Sequence, residues 1–252
     1  VRLVGSEMCI RDRMNLSFIR GDEEAAVREN YRRLARALGA EVGQFVCSDQ
    51  THTVNVRRVT AADAGKGLTR ERDYRDVDGL ITDEPGLVLS TFYADCVPLY
   101  VVDPVHRAIG MSHSGWRGTA ARMGAVTLSA MQEAYGTRPE DVVCAVGPSI
   151  CKDCYEVSAD VADIFAEEFP GHEQEILAES EKNSVGMAHA DKKYQLDLWK
   201  ANELVLTDAG IRPEHMAVTN VCTCCNPELL FSHRASKGKR GNLAAFIALK
   251  EG

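Results

Sequence analysis

Residues 86–113 read GLVLSTFYADCVPLYVVDPVHRAIGMSH, and this run restricts the fold more than any other part of the chain. It is too apolar for strands with one wet face, and its β-branched and aromatic content disfavours helix. The reading that fits is two buried strands broken near Asp95–Pro98, where an acid and a proline interrupt the ladder. A turn at DPVHR then leads into a third strand, AIGMSH.

Around this centre the periodicity changes. From Asp22 to Leu38 the apolar positions Val27, Tyr31, Leu34 and Leu38 recur at helical spacing, with Asp22 as N-cap and Gly39 past the end. Residues 44–59 alternate like strand material interrupted near Ser48–Gln50, and 65–78 is a charged, glycine-containing loop. Residues 117–135 read as one helix, 158–169 and 197–209 as amphipathic helices, and DVVCAVGP, HMAVTNVCT and NLAAFIAL as further strands. Residues 170–195 are polar and read as a mobile excursion. Strands outnumber helices without strict βαβ alternation, which predicts an α+β class: a single domain with mixed β-sheets flanked by helices.

With 252 residues, 45% of them hydrophobic, the chain can bury a substantial core. The net charge of −8 gives no general attraction for phosphodiester backbones or anionic lipid, so neither nucleic acid nor a membrane is an expected partner. No apolar run reaches the roughly 20 residues of a bilayer span, and no export signal is evident, so the expected location is cytoplasmic. There the nine cysteines read as thiols or metal ligands, not as disulfides. Residues 1–13, VRLVGSEMCIRDR, join no pattern and read as an adapter-like, non-native segment ahead of a domain spanning 14–252. The sequence carries no signature of oligomeric state.

Three soft or borderline donors lie beside strand ends: His52 after SDQT, Cys96 in ADC and His113 in MSHSGW. Two imidazoles and a thiolate form a three-ligand zinc set with a fourth position open, the arrangement of catalytic zinc. Such a metal acidifies a bound water, which could attack an electrophilic ring carbon, as in hydrolytic deamination. The plainer alternative is a core thiol and two satisfied histidines. Context favours ligands: Asp95 and Pro98 break the strand at the cysteine, and Gly115 and Gly118 allow close approach after His113.

The segments ADCVPLY, HSGWRGT, VGPSI followed by CYEV, and FSHR, in that order, resemble the multicopper polyphenol oxidase or laccase-domain family, whose members are also described as purine nucleoside phosphorylases and as peptidoglycan editing factors. The resemblance covers essentially everything from Met14 onward. It implies that His52, Cys96 and His113 are the catalytic and metal-binding residues. It also implies phosphorolysis of adenosine, inosine and methylthioadenosine to the base and the ribose (or methylthioribose) 1-phosphate, with deamination of adenosine; purine nucleosides and phosphate are then the expected partners. Members of the family usually begin with a strand and a GGVS-type loop that this chain lacks, so an N-terminal truncation is expected, at a cost in stability or activity.

Arg117, at the expected helix start, and Arg234 of FSHR are candidate anion contacts, with Ser232 beside them as a substrate-binding residue. Trp116 reads as a core aromatic before a wall for a flat base. Asp95 either orients a ligand histidine or caps a strand end. The two C-x-x-C units, Cys151/Cys154 and Cys222/Cys225 (with Cys224 inside the second), suggest either a second, structural zinc or buried, redox-sensitive thiols; the 67 residues between the pairs far exceed a zinc-ribbon loop.

Laccase chemistry itself fits poorly. A multicopper oxidase needs a blue-copper site and a separate histidine-rich cluster, and the chain has seven histidines and no His-x-His pair. The expected cofactor is zinc, with copper as an adventitious occupant and copper-dependent polyphenol oxidation as one alternative function. Hydrolytic editing of a mis-made peptidoglycan precursor is the other, since the same activated water would serve it.

Overall fold

In a computed structural model, described over residues 14–184 and 186–250, the central run is buried on both faces. The chain order is α1 (Glu24–Leu38), β1 (Phe45–Cys47), β2 (Val56–Arg58), β3 (Gly79–Thr82), β4 (Val88–Tyr93), β5 (Val97–Asp103), β6 (Ala108–Ser114), α2 (Trp116–Ala120), α3 (Met123–Tyr135), β7 (Val143–Val146) and β8 (Glu156–Ser158). There follow α4 (Ala159–Glu168), α5 (Glu173–Ile176), β9 (Leu177–Glu179), β10 (Lys193–Leu196), α6 (Leu198–Asp208), β11 (Met216–Val218) and β12 (Leu243–Ala248). A six-stranded mixed sheet runs β11-β7-β5-β6-β3-β2, and two three-stranded sheets run β1-β4-β12 and β8-β10-β9.

Strand alternation sorts the core into layers. Along β5, Leu99 and Val101 face helix residues such as Leu128, Phe165 and Leu206, while Tyr100 faces Leu89, Met111 and Ile247 between the six-stranded sheet and the β1-β4-β12 sheet. Along β4, Leu89 points into that inter-sheet layer and Val88 points out, under Val27, Tyr31 and Leu34 of α1. The result is helix, sheet, sheet, helix: an α+β domain of mixed sheets. No helix of the described residues is long and apolar enough to cross a membrane. The adapter-like reading of residues 1–13, Cys9 included, lies outside the described residues.

Two expectations are corrected. The helix expected over 117–135 is two helices, α2 and α3, because Arg122 between them takes a left-handed backbone (φ 59°) while its guanidinium pairs with Asp208. The turn redirects the chain so that α3 packs on α6, with Gly124 against Leu206. Residues 170–195, expected as an excursion, instead supply α5, β9 and β10. There β10 pairs with β8 and β9, and Ile176 and Leu196 enter the main core. Strands this short, interleaved with charges, show no period-2 signal.

Candidate metal centre

The ligand atoms of His52, Cys96 and His113 all lie within 4.8 Å of one another, and the two imidazole rings meet edge to face at 4.9 Å. They arrive from three segments: the loop after β1, the break between β4 and β5, and the end of β6. In register, His113 sits opposite Pro98, which brings the cysteine at the strand break close to the imidazole. Gly115 completes the approach. A Cβ there would lie 3.0 Å from Cys96 Sγ and 3.2 Å from His52 Cδ2, so any side chain would push into the donor set.

One buried carboxylate organises both histidines. Asp78 is fully buried at the start of β3, and its Oδ1 lies 2.8 Å from His113 Nδ1. The backbone N–H groups of Thr51, His52 and Thr53 donate to the same carboxylate at 3.0, 3.1 and 2.9 Å. These bonds hold His52 at φ 66°, a left-handed conformation uncommon outside glycine. With Asp78 ionised, the Nδ1–H of His113 is held on the carboxylate, so a metal entering the site would take the place of the second ring proton, on Nε2. Gln50 anchors the other end of this loop by bonding both the N–H and the C=O of Phe92 in β4, at 2.6 and 2.7 Å.

Cys96 is aimed by Asp95, which also has a left-handed backbone (φ 85°). The Asp95 carboxylate accepts from Thr223 Oγ1 and from the Arg234 N–H, both at 2.7 Å, and its carbonyl accepts from Ile150 N–H at 3.0 Å. Of the two roles open to it in the sequence, Asp95 therefore fixes the backbone at the strand break, and the histidine-orienting role falls to Asp78. Burial pushes the Cys96 thiol up, but the facing imidazoles of His113 and His52 outweigh it and hold the thiol down at about 6. Burial pushes His113 down, while Asp78 and Cys96 raise it, to about 9. A thiolate is thus available at neutral pH. A borderline-soft set of two imidazole nitrogens and one thiolate, with a fixed histidine tautomer, fits zinc, or copper, with one position left open.

The three donors border a cavity of about 380 Å³, within the usual range for small-molecule sites. Its wall includes the aromatic rings of Phe18, Phe92 and Tyr93 and the cationic side chains of Arg20, Arg72 and Arg240. Arg72 is bound to Asp49 and the Ser48 carbonyl. Arg240 bonds the Gly241 carbonyl and Asn242, yet its Nε–H is buried with no protein partner among the described residues.

The other sequence candidates lie apart from this cavity wall. The Arg117 guanidinium rests over the Trp116 ring at 4.1 Å, with Trp116 packed on the main core. The Arg234 guanidinium donates to the Glu156 carbonyl at 2.9 Å and lies over Tyr155 at 5.3 Å. Ser232 is buried and accepts from the Ala235 N–H. Arg117 and Arg234 share a neighbourhood with Cys96, because all three act electrostatically on the Tyr155 hydroxyl. Asp78 and Arg240 were missed in the sequence, although each had a faint signal: an acid, and a basic run, each placed just before a buried strand.

A sequence profile of the family described as multi-copper polyphenol oxidoreductase laccase matches residues 2–250. Purine nucleoside phosphorylase YlmD of Bacillus subtilis is 36% identical over 234 residues, spanning 91% of this chain and 80% of that one. Among solved structures, the hypothetical protein YfiH of Bacillus licheniformis superposes with a TM-score of 0.88 at 32% identity, covering 98% of this chain and 90% of that one. YlmD from Geobacillus stearothermophilus superposes with a TM-score of 0.85 at 35% identity, covering 98% and 89%.

Proposed function

This chain belongs to the multi-copper polyphenol oxidoreductase laccase family, and we propose on that footing that it is a zinc-dependent purine nucleoside phosphorylase that also deaminates adenosine. The observation that carries the reading is the convergence of His52, Cys96 and His113 at the edge of a cavity of nucleoside size beside the half-buried Arg240, whose Nε–H is buried without a protein partner among the described residues. The name of the Bacillus subtilis relative supports the substrate class.

His52, Cys96 and His113 would hold the metal, and zinc bound by them supplies Lewis acidity at the open position. Asp78 holds the His113 Nδ1–H, so that the proton given up to a metal would be the one on Nε2. Arg240 offers its free N–H and a positive charge to phosphate, with Arg117, Ser232 and Arg234 as further substrate contacts. Phe18 and Phe92 provide flat apolar faces for a purine. In phosphorolysis, a phosphate oxygen forms a bond to C1′ of adenosine, inosine or methylthioadenosine as the bond from C1′ to N9 breaks. The base leaves with a proton on its ring nitrogen. In deamination, water adds at C6 of adenosine and ammonia leaves.

A laccase reading lacks the donors. Of the seven histidines, only His52 and His113 enter a cluster of three or more ligating side chains among the described residues. His106, His172, His189 and His215 are engaged elsewhere, with Asp103, Glu175, Asp163 and the Val142 carbonyl, and His233 is exposed. The deciding experiment is chromatography of adenosine incubated with zinc-loaded protein in phosphate buffer, alongside Cys96→Ala. Adenine, hypoxanthine or inosine formed only by the unsubstituted chain is the expected result, with a loss in the variant of at least ~100-fold, since even outer-shell partners of a metal cost 10–100-fold. Unchanged adenosine from folded, metal-bound protein would overturn the proposal.

A further inference from the structure

Cys151 and Cys154 lie in the connection from β7 to β8, and Cys222 and Cys225 in the connection from β11 to β12. We propose that these four thiolates form a second metal site, which binds one zinc ion in a closed tetrahedron and serves structure, not catalysis. The four Sγ atoms lie within 4.8 Å of one another, with Cys154 and Cys151 at 3.5 and 3.9 Å from Cys225. A tetrahedron with Zn–S bonds of about 2.3 Å has sulfur–sulfur edges of about 3.8 Å. A disulfide needs about 2.05 Å, so the cluster has the spacing of ligands around an ion and not of bonded pairs.

The backbone supports the same reading. The N–H groups of Cys151 and Cys225 both point at Cys222 Sγ, at 3.3 Å each. Such donors stabilise a thiolate. Each pair has the C-x-x-C spacing of a zinc knuckle, and the distance between pairs in sequence is bridged by the sheet. Because β7 and β11 run parallel, with Val146 opposite Val218, their chains leave the sheet at the same end and continue side by side. Ser149 then bonds to both neighbours of Cys222, accepting from the Thr223 N–H at 3.1 Å and donating to the Val221 carbonyl at 3.2 Å. Cys224, outside the cluster, packs against the main core instead.

An ion here would pin the wall behind the first site. The same two connections deliver Ile150 and Thr223 to Asp95, the residue whose turn aims Cys96. Binding releases protons from the four thiols to solvent and closes a loop of about seventy residues, which removes freedom mainly from the unfolded chain.

The test is zinc stoichiometry and ligand shell in the full chain, purified without a metal-binding tag. About two zinc ions per chain are expected. Cys96→Ala should retain one, whose X-ray absorption shows sulfur neighbours at about 2.3 Å and no imidazole; Cys151→Ser/Cys225→Ser should retain the other, with mixed nitrogen and sulfur. Folded Cys96→Ala carrying no zinc, or intact mass showing disulfides among the four cysteines in freshly purified protein, would overturn the proposal. The Cys96→Ala spectrum decides the matter even where the double variant does not fold, and neither readout depends on whether adenosine is a substrate.

Discussion

The two cysteine-bearing clusters both connect to Asp95, which precedes Cys96 and bonds Ile150 and Thr223, and they solve different problems. His52, Cys96 and His113 come from three separate segments, mix nitrogen with sulfur, and rely on one buried carboxylate and a side-chain-free residue, Gly115, to meet at a cavity edge. The four cysteines come from two adjacent connections, use one donor type, and take their support from backbone N–H groups. Three donors with a gap suit chemistry; four donors without one suit architecture. The contrast shows that sulfur content alone says little about role, whereas the support behind the donors says a great deal.

The largest effect that can break this contrast is metal removal. Titration with a chelator is expected to take zinc from the open site first and abolish turnover, while the four-thiolate ion leaves roughly ten-fold or more slowly and its loss lowers the melting temperature. Simultaneous release of both ions, followed by a chromophoric chelator, would erase the distinction. Next comes Asp78→Asn. Loss of the charge frees the His113 tautomer and weakens the bonds to the His52 loop, so zinc affinity at the open site should fall about 10–100-fold while the four-thiolate ion stays bound.

The smallest effect comes from outside both clusters. Burial pushes the Asp63 carboxyl up, but bonds from Lys66 at 2.7 Å, from the Thr60 N–H and from Arg57 more than offset it and leave it at about 2, against a usual 3.8. A folded-state value below the unfolded one means stability that is fully present above about pH 4 and is lost as pH falls toward 2, at most about 2 kcal/mol. In metal-free protein, Asp63→Asn should flatten the melting temperature between those pH values; an unchanged acid slope would assign the acid sensitivity to other carboxylates.

How far the sequence reveals these features depends on what each one needs. The strands β4, β5 and β6 are legible because burial on both faces leaves an unbroken apolar run that no surface element carries. The three donors are legible because each stands at a visible break: a polar interruption, Asp95–Pro98, or a glycine-rich turn. Asp78 is not, since an acid at the end of a charged loop looks solvated until the fold brings residues 51–53 and 113 around it. The left-handed turn at Arg122 has neither glycine nor proline to announce it. Each C-x-x-C is legible by itself, but their meeting is a property of the parallel pairing of β7 with β11, which spacing along the chain conceals.

Asp78 has one further consequence. Because a single carboxylate sets both the backbone of the loop that carries His52 and the ring orientation of His113, the two histidines cannot drift independently. Any substitution that relocates one side chain must move the other through the same two oxygens. Transplanting the His-Cys-His trio onto a different scaffold would therefore fail unless the buried acid and its three amide donors travelled with it; the heritable unit is the quartet.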